Sequence, residues 1–225
     1  QGTAGTKPSG GTIAPATPRI VLIDRPGSPQ SYILGGQVLP KKGTDDLETL
    51  ITANQALGTD FLSRINTNLR ETKGWSYGVR ASINRVAGDV PYIVLAPVQA
   101  DRTGESIAAI KADMTDFLLT KGITEEERAR IINGNILELP GSYETSGAVL
   151  SALQRNALYG RADDFYDSLA SQYRGMTREQ LDASIRAVLK PDQMLWVVVG
   201  DAKIVRPQLE KLGLPVELMT QAGGN

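Results

Sequence analysis

Histidine and cysteine are both absent from this 225-residue chain. Without thiols there are no disulfides, no thiolate metal sites and no cysteine nucleophile, although that absence does not by itself assign a redox compartment. Without imidazole there is no Ser-His triad and no ordinary zinc site. Average usage would supply several histidines, so this is the more informative of the two gaps. Carboxylate-only magnesium or calcium sites need an Asp-rich loop of defined spacing, none of which occurs, and no metal is expected in the chain. No run of about 18 apolar residues is present, so nothing reads as a membrane-spanning helix. Neither sign of charge dominates: 24 basic and 25 acidic residues, interspersed, leave a formal charge of -1. That removes the electrostatic footprint for gripping nucleic acid or an anionic membrane.

What is present is an ordinary globular composition, 41% hydrophobic and 22% charged, in a chain long enough to bury one sizeable core. Residues 1–18 (QGTAGTKPSGGTIAPATP) are Gly, Pro, Thr and Ser with little to bury, and read as a flexible linker or tail with something upstream of it. The first residue is Gln, so a processed product or a fragment is expected. Residues 19–225 read as one folded domain, divisible into stretches of about 19–100 and 101–225. The compartment is open between the cytoplasm and a bacterial periplasm, with which the Pro/Thr/Gly-rich start and the lack of cysteine are compatible.

The folded part opens with the β-branched run Arg19 to Asp24, a Pro-Gly turn and a second strand near Ser31 to Leu39, which together predict a hairpin. From Asp45 the period turns helical. Leu47, Leu50, Ile51 and Leu57 share a face, Asp45 and Glu48 are spaced as a cap and its partner, and Gly58 ends the helix. A second short helix, Phe61 to about Glu71, carries Phe61, Leu62, Ile65 and Leu69 on one stripe until Gly74 breaks it. Residues 75–86 then alternate as a strand, with Trp75, Tyr77, Val79, Ala81 and Ile83 on the apolar side. Pro91 to Ala100 is apolar on both faces and predicts a strand covered on both, with Pro97 at a bulge or an edge. Helices follow: a stripe of Ile107, Ile110, Met114, Phe117 and Leu118, a Thr124–Glu127 capping box leading into Ile131, Ile132 and Ile136, and further helices near 143–159, 163–173 and 177–189. Met194 to Val199 reads as a returning buried strand, and a final helix follows near Lys203 to Leu212. Strands early, helices late and one strand returning predict an α+β fold.

One junction looks better suited to recognition than to packing: Leu69-Arg70-Glu71-Thr72-Lys73-Gly74-Trp75-Ser76-Tyr77-Gly78. A helix end that runs straight into a strand can bring a guanidinium and a phenol to one rim, a forked donor beside a single directional one. Both suit peptide carbonyls or a carboxylate. Here the chain resembles the pitrilysin/insulinase (M16) metallopeptidase family, whose non-catalytic half carries Arg and Tyr seven positions apart within a motif like SRLNxNLREKxGxxY. The chain reads Ser63-Arg64-Ile65-Asn66-Thr67-Asn68-Leu69-Arg70-Glu71, with Tyr77 in register. The preceding Leu57-Gly58-Thr59-Asp60-Phe61 matches the family's Gly-rich lead-in, with Thr59 where a second Gly is typical. The likeness continues through Asp24 to Gln30, Gly122 to Glu127, Leu158-Tyr159-Gly160 and Lys190 to Asp201.

The resemblance implies a mixed, largely antiparallel sheet flanked by helices, forming one half of a clam-like shell around a peptide chamber. It implies a partner half, on a separate chain or upstream, that holds zinc in an inverted HxxEH motif. In this chain the corresponding first helix, Asp45 to Leu57, has no such motif. It also implies roles: Tyr77 as a hydrogen-bond donor in trans to the oxyanion of peptide hydrolysis, Arg70 as a clamp on the substrate. Apart from the resemblance, Tyr77 on an apolar strand face reads as a core tyrosine and Arg70 as a helix-end charge. Glu125, Glu126 and Glu127 read as a solvated helix start, and Trp75 and Trp196 as packing residues. Gly35-Gly36 reads either as a bulge or as a close approach by an added peptide strand. Two rival functions remain, a structural scaffold relative and a stand-alone peptide-binding module.

Overall fold

The computed structural model describes residues 13–14 and 16–219. The tail expected over residues 1–18 lies mostly outside them. In chain order the elements are β1 (Ile20–Asp24), β2 (Gln30–Lys42), α1 (Glu48–Asn54), α2 (Arg64–Asn66), β3 (Arg80–Ile83), β4 (Asp89–Gln99), α3 (Thr103–Asp116), α4 (Glu125–Glu138), α5 (Ser146–Tyr159), α6 (Phe165–Gly175), α7 (Arg178–Val188), β5 (Leu195–Gly200), α8 (Ala202–Leu209) and β6 (Val216–Met219). Three of the helices continue as wider turns with i→i+5 bonding: α1 over Gln55–Thr59, α2 over Thr67–Thr72 and α3 over Phe117–Lys121.

The strands form one mixed sheet in the order β3-β4-β2-β5-β1-β6. Pairing is antiparallel across β3, β4, β2 and β5, and parallel from β5 through β1 to β6. The α+β class is as the sequence predicts and the mixed, mostly antiparallel sheet is as the family resemblance implies; the opening hairpin is not found. β1 and β2 are separated by β5, whose run Trp196-Val197-Val198-Val199 pairs with both. A strand with continuous Val content gains most from the middle of a sheet, where its backbone groups are paired on both sides. β6, at the edge beside β1, is a strand that the sequence reading missed; its half-exposed and exposed residues leave no alternating pattern to find.

One face of the sheet carries the core. Ile20, Leu22, Ile33, Val94, Ala96, Val98, Trp196 and Val198 are all buried on it, and α1, α3, α7 and α8 supply the apolar stripes that cover them, among them Leu50, Ile107, Ile110, Met114, Leu181, Ile185, Val205 and Leu209. The predicted stripe through Phe117 and Leu118 is buried throughout. Both Thr124 and Thr177 close full capping boxes, with Glu127 and Gln180 returning the bond, each cap worth on the order of 1 kcal/mol.

Among the described residues the opposite face is left partly exposed. Register places Leu95, Leu34, Val197 and Val21 side by side in one row, and Pro97, Tyr32, Val199, Ile23 and Met219 in the next. None of these is buried. β4 is therefore covered on one side only, which corrects the expectation of burial on both. Pro97 lies beyond the end of β3, whose pairing with β4 runs from Tyr92 to Leu95, so its missing N–H leaves no gap in the β3–β4 ladder.

Gly35-Gly36 sits inside β2, paired to β4 and β5 at once, so it is not an edge open to a peptide strand. The irregular register of β2 comes later, between Val38 and Lys42. A Cβ on Gly35 would stand 2.5 Å from the Trp196 ring; the glycine is there to seat the indole. The expected Asp45 cap is also reassigned. Asp46 Oδ1 accepts from Glu48 N–H, Asp45 accepts from Lys42 N–H, and the Glu48 carboxylate takes Arg85 and Arg161 instead of returning a cap bond.

Candidate functional site

The junction between α2 and β3 is built from polar ties around a short helix. Ile65 and Leu69 bury fully, whereas Phe61 and Leu62, predicted to share their stripe, are 61% and 57% exposed. They precede the helix, which begins at Arg64, so the 3.6-residue spacing never reaches them. Gly58 lets the wide turn after α1 touch β3, since a Cβ there would meet the Ala81 methyl at 2.4 Å. Thr59 gives this lead-in a fastening of its own: its hydroxyl donates to the Ala81 carbonyl and accepts from Asn54 Nδ2.

Past Thr72 the chain reverses at Gly74, whose φ of +65° favours a residue with no Cβ. Lys73 N–H returns to the Asn68 carbonyl and Trp75 N–H to the Leu69 carbonyl. The segment then runs beside the end of β4. Gln99 N–H donates to the Trp75 carbonyl, and Ser76 Oγ donates to the Pro97 carbonyl and accepts from Gly78 N–H. Regular strand starts only at Arg80. The expected strand over 75–86 is thus a pinned loop in its first half, because these side-chain ties replace the ladder.

That correction decides where Tyr77 points. Held on either side by Ser76 and Val79, it projects into solvent at 87% exposure, so it is not a core tyrosine. Val79, two residues on, is buried. Arg70 is half-exposed; its guanidinium lies 4.4 Å from the centre of the Phe61 ring, with Nε 3.1 Å from the Glu71 carboxylate. The exposed Phe61 ring is therefore a platform under a cation. Among the described residues no hydrogen bond or ion pair joins Arg70 to Tyr77. Trp75 packs under cations rather than in the core: Lys73 Nζ lies 4.5 Å and the Arg102 guanidinium 5.9 Å from its ring centre.

Sequence reading missed Asn66. It is 4% exposed, its Nδ2 donates to the Phe61 carbonyl at 2.7 Å and its Oδ1 accepts from Val79 N–H at 2.8 Å. The available signal was a short polar side chain beside buried Ile65, in a position where burial demands partners. Nearby, Arg64 is structural. It makes a two-pronged bond to Glu127, at 2.8 and 2.7 Å, reaches the Gly122 carbonyl and lies over Phe117. Burial alone would raise the Glu127 carboxyl, but the Arg64 guanidinium and the Thr124 N–H outweigh it and hold the group below the usual glutamate range. Glu127 is therefore a bridging residue, unlike the solvated helix start expected for it. Burial pushes Asp60 up, with Arg130 opposing, and pushes Asp113 up against a hydrogen bond from Asn68.

Residues 3–135 match the family described as the peptidase M16 inactive domain. The chain belongs to that family. An uncharacterized zinc protease of Mycobacterium tuberculosis is 26% identical over 212 residues, covering 92% of this chain and 45% of the relative. The chain thus spans about half the length of the curated relatives it matches. The same fold appears in the crystal structure of the peptidase M16 inactive domain from Pseudomonas fluorescens, with a TM-score of 0.74 and 23% identity over 84% of this chain and 45% of that one. It appears again in the periplasmic protease PqqL from Escherichia coli, with a TM-score of 0.69 and 17% identity over 84% of this chain and 21% of that one.

As an M16 inactive domain the chain does not fit zinc. It has neither imidazole nor thiol, and among the described residues no group of three or more carboxylates is arranged to hold a metal ion. No helix among the described residues is long and apolar enough to cross a membrane. The candidate site residues are an exposed phenol, Tyr77, and a ring-supported guanidinium, Arg70, both groups that donate hydrogen bonds to carbonyl or carboxylate oxygens.

Proposed function

We propose that this M16 inactive domain is the non-catalytic half of a zinc metallopeptidase, binding peptide beside a zinc held by an HxxEH half on a separate chain or upstream. Residues 19–225 are the unit that pairs. Tyr77 donates a hydrogen bond across the interface to the oxyanion that develops during peptide hydrolysis, and Arg70 clamps the backbone or terminus of the substrate. The observation that carries this reading is the exposure of Tyr77. A phenol fixed by ties on both sides of it, yet making no hydrogen bond among the described residues, is free to donate to something else.

The open apolar rows of the sheet support a partner as well. A continuous patch of Tyr32, Leu34, Val197 and Val199 resembles half of a buried interface more than an ordinary surface. No step of the reaction belongs to this chain alone; its residues bind, orient and donate hydrogen bonds.

The test is reconstitution with the zinc-bearing half. Tyr77→Phe should lower turnover by roughly 100 to 1,000-fold, the usual consequence of removing one oxyanion donor, and Arg70→Ala should raise KM for peptide. Unchanged peptidase kinetics in both variants would overturn the roles. Robust, chelator-sensitive proteolysis by this chain alone would overturn the assignment as a non-catalytic half.

A further inference from the structure

Arg70 and Tyr77 leave the core on different segments, and neither bonds to the other. What their segments share is Asn66. Its Nδ2 donates to the carbonyl of Phe61, whose ring lies under the Arg70 guanidinium. Its Oδ1 accepts from Val79 N–H, two residues after Tyr77 and just ahead of β3. The amide orientation is dictated by its neighbours, since a carbonyl faces one end and an N–H the other. A Cβ built on Gly78 would lie 3.8 Å from the same Oδ1, so the loop passes directly over the amide.

Among the described residues neither bonded neighbour has an alternative tie of the same kind. Val79 N–H precedes the β3 ladder and takes this one side-chain acceptor, and the Phe61 carbonyl lies outside α2. A buried primary amide is one of few side chains that can donate and accept in opposite directions at once. Aspartate and leucine match its size but not its pattern.

We propose that Asn66 is the positioning residue for both members of the pair, its nitrogen setting the Phe61 platform beneath Arg70 and its oxygen anchoring the loop that presents Tyr77. This rests on the peptidase role proposed above for Arg70 and Tyr77. Asn66 touches no substrate; it acts through the two segments it joins. The two arms are separable by chemistry. Asn66→Asp keeps the acceptor for Val79 and loses the donor to Phe61, where a carboxylate oxygen would instead face the carbonyl. Asn66→Ala loses both.

The experiment is a set of double-mutant cycles on the peptidase reconstituted with its zinc-bearing half. Asn66→Ala alone should cut kcat/KM by about 100-fold, the scale of a misplacement of about 1 Å. Added to an Arg70→Ala/Tyr77→Phe background, it should cost less than about 3-fold, since groups acting through one another are not additive. Asn66→Asp should be non-additive with Arg70→Ala and additive with Tyr77→Phe, a split that a general loss of stability would not produce. Additive losses in every cycle overturn the inference while leaving the peptidase role standing. Full activity in both Arg70→Ala and Tyr77→Phe removes the peptidase role and this inference with it. If Asn66→Ala does not fold, hydrogen exchange on the unmodified full chain decides: Val79 N–H should be protected as well as the β3 amides, and exchange at the rate of a free loop overturns the anchor.

Discussion

At the residue scale, several side chains changed meaning because of what lies opposite them. Gly35 stands in β2 for the sake of Trp196, whose ring fills the space a methyl would need. Gly35→Ala should therefore destabilise the chain by about 1–3 kcal/mol through overpacking, read as a lower urea midpoint at unchanged m. Gly36→Ala, with its nearest neighbour at 3.8 Å, should cost clearly less. Tyr77→Phe should leave the same midpoint within about 0.5 kcal/mol, because the side chain is solvated and its hydroxyl makes no hydrogen bond among the described residues. A large shift there would mean that Tyr77 holds the loop instead of being held by it. Arg70 and Tyr77 were legible in the sequence only through the motif around them. Asn66 lay in the same motif unnoticed, since nothing local reveals that Phe61 and Val79 meet across it.

At the element scale, α4 is held at its start by two devices on one side chain. Glu127 closes the capping box with Thr124 and binds Arg64 from α2. Its folded pKa lies below the unfolded value, so its stabilisation is fully present above about pH 4.3, the ordinary glutamate range, and is lost as pH falls through the folded value. Glu127→Gln should cost about 1–3 kcal/mol at pH 7, the range for hydrogen bonds to charged groups, and the difference should be smaller at an acidic pH below the ordinary glutamate range. Urea unfolding at the two pH values checks this. A penalty that stayed constant with pH would put the effect in packing. Capping boxes and helix stripes were readable from the sequence because their partners are three or four residues apart. The strand over 75–86 misled because alternation describes any extended chain, and here side-chain ties from Ser76 and Asn66 replaced a ladder in its first half.

For the whole molecule, the question is what covers the open face of the sheet. Leu34 lies at its centre, flanked by Leu95 and Val197, and is 36% exposed. Leu34→Lys should shift the stability of the isolated chain by no more than about 0.5 kcal/mol, because the stem can lie along the sheet with its ammonium in water. In the paired assembly the same change would bury a charge, so it should weaken association with the zinc-bearing half by about 10-fold or more. Titration of the two halves, wild type against Leu34→Lys, gives the comparison. Equal affinities would show that the apolar rows face away from the partner.

The sequence by itself determined that this chain has no imidazole or thiol for zinc, that its helices start at Thr124 and Thr177, and that Arg70 and Tyr77 stand seven residues apart in an M16-like motif. These are facts of composition and of contacts within one turn of the chain, where local rules suffice. Only the tertiary structure decided that β5 separates β1 from β2, that one sheet face is left partly exposed among the described residues, that Tyr77 faces solvent and that Asn66 ties its loop to the Arg70 platform. Each of these depends on which distant segments become neighbours, and that choice is made by burial of the whole core, which no short window of sequence contains.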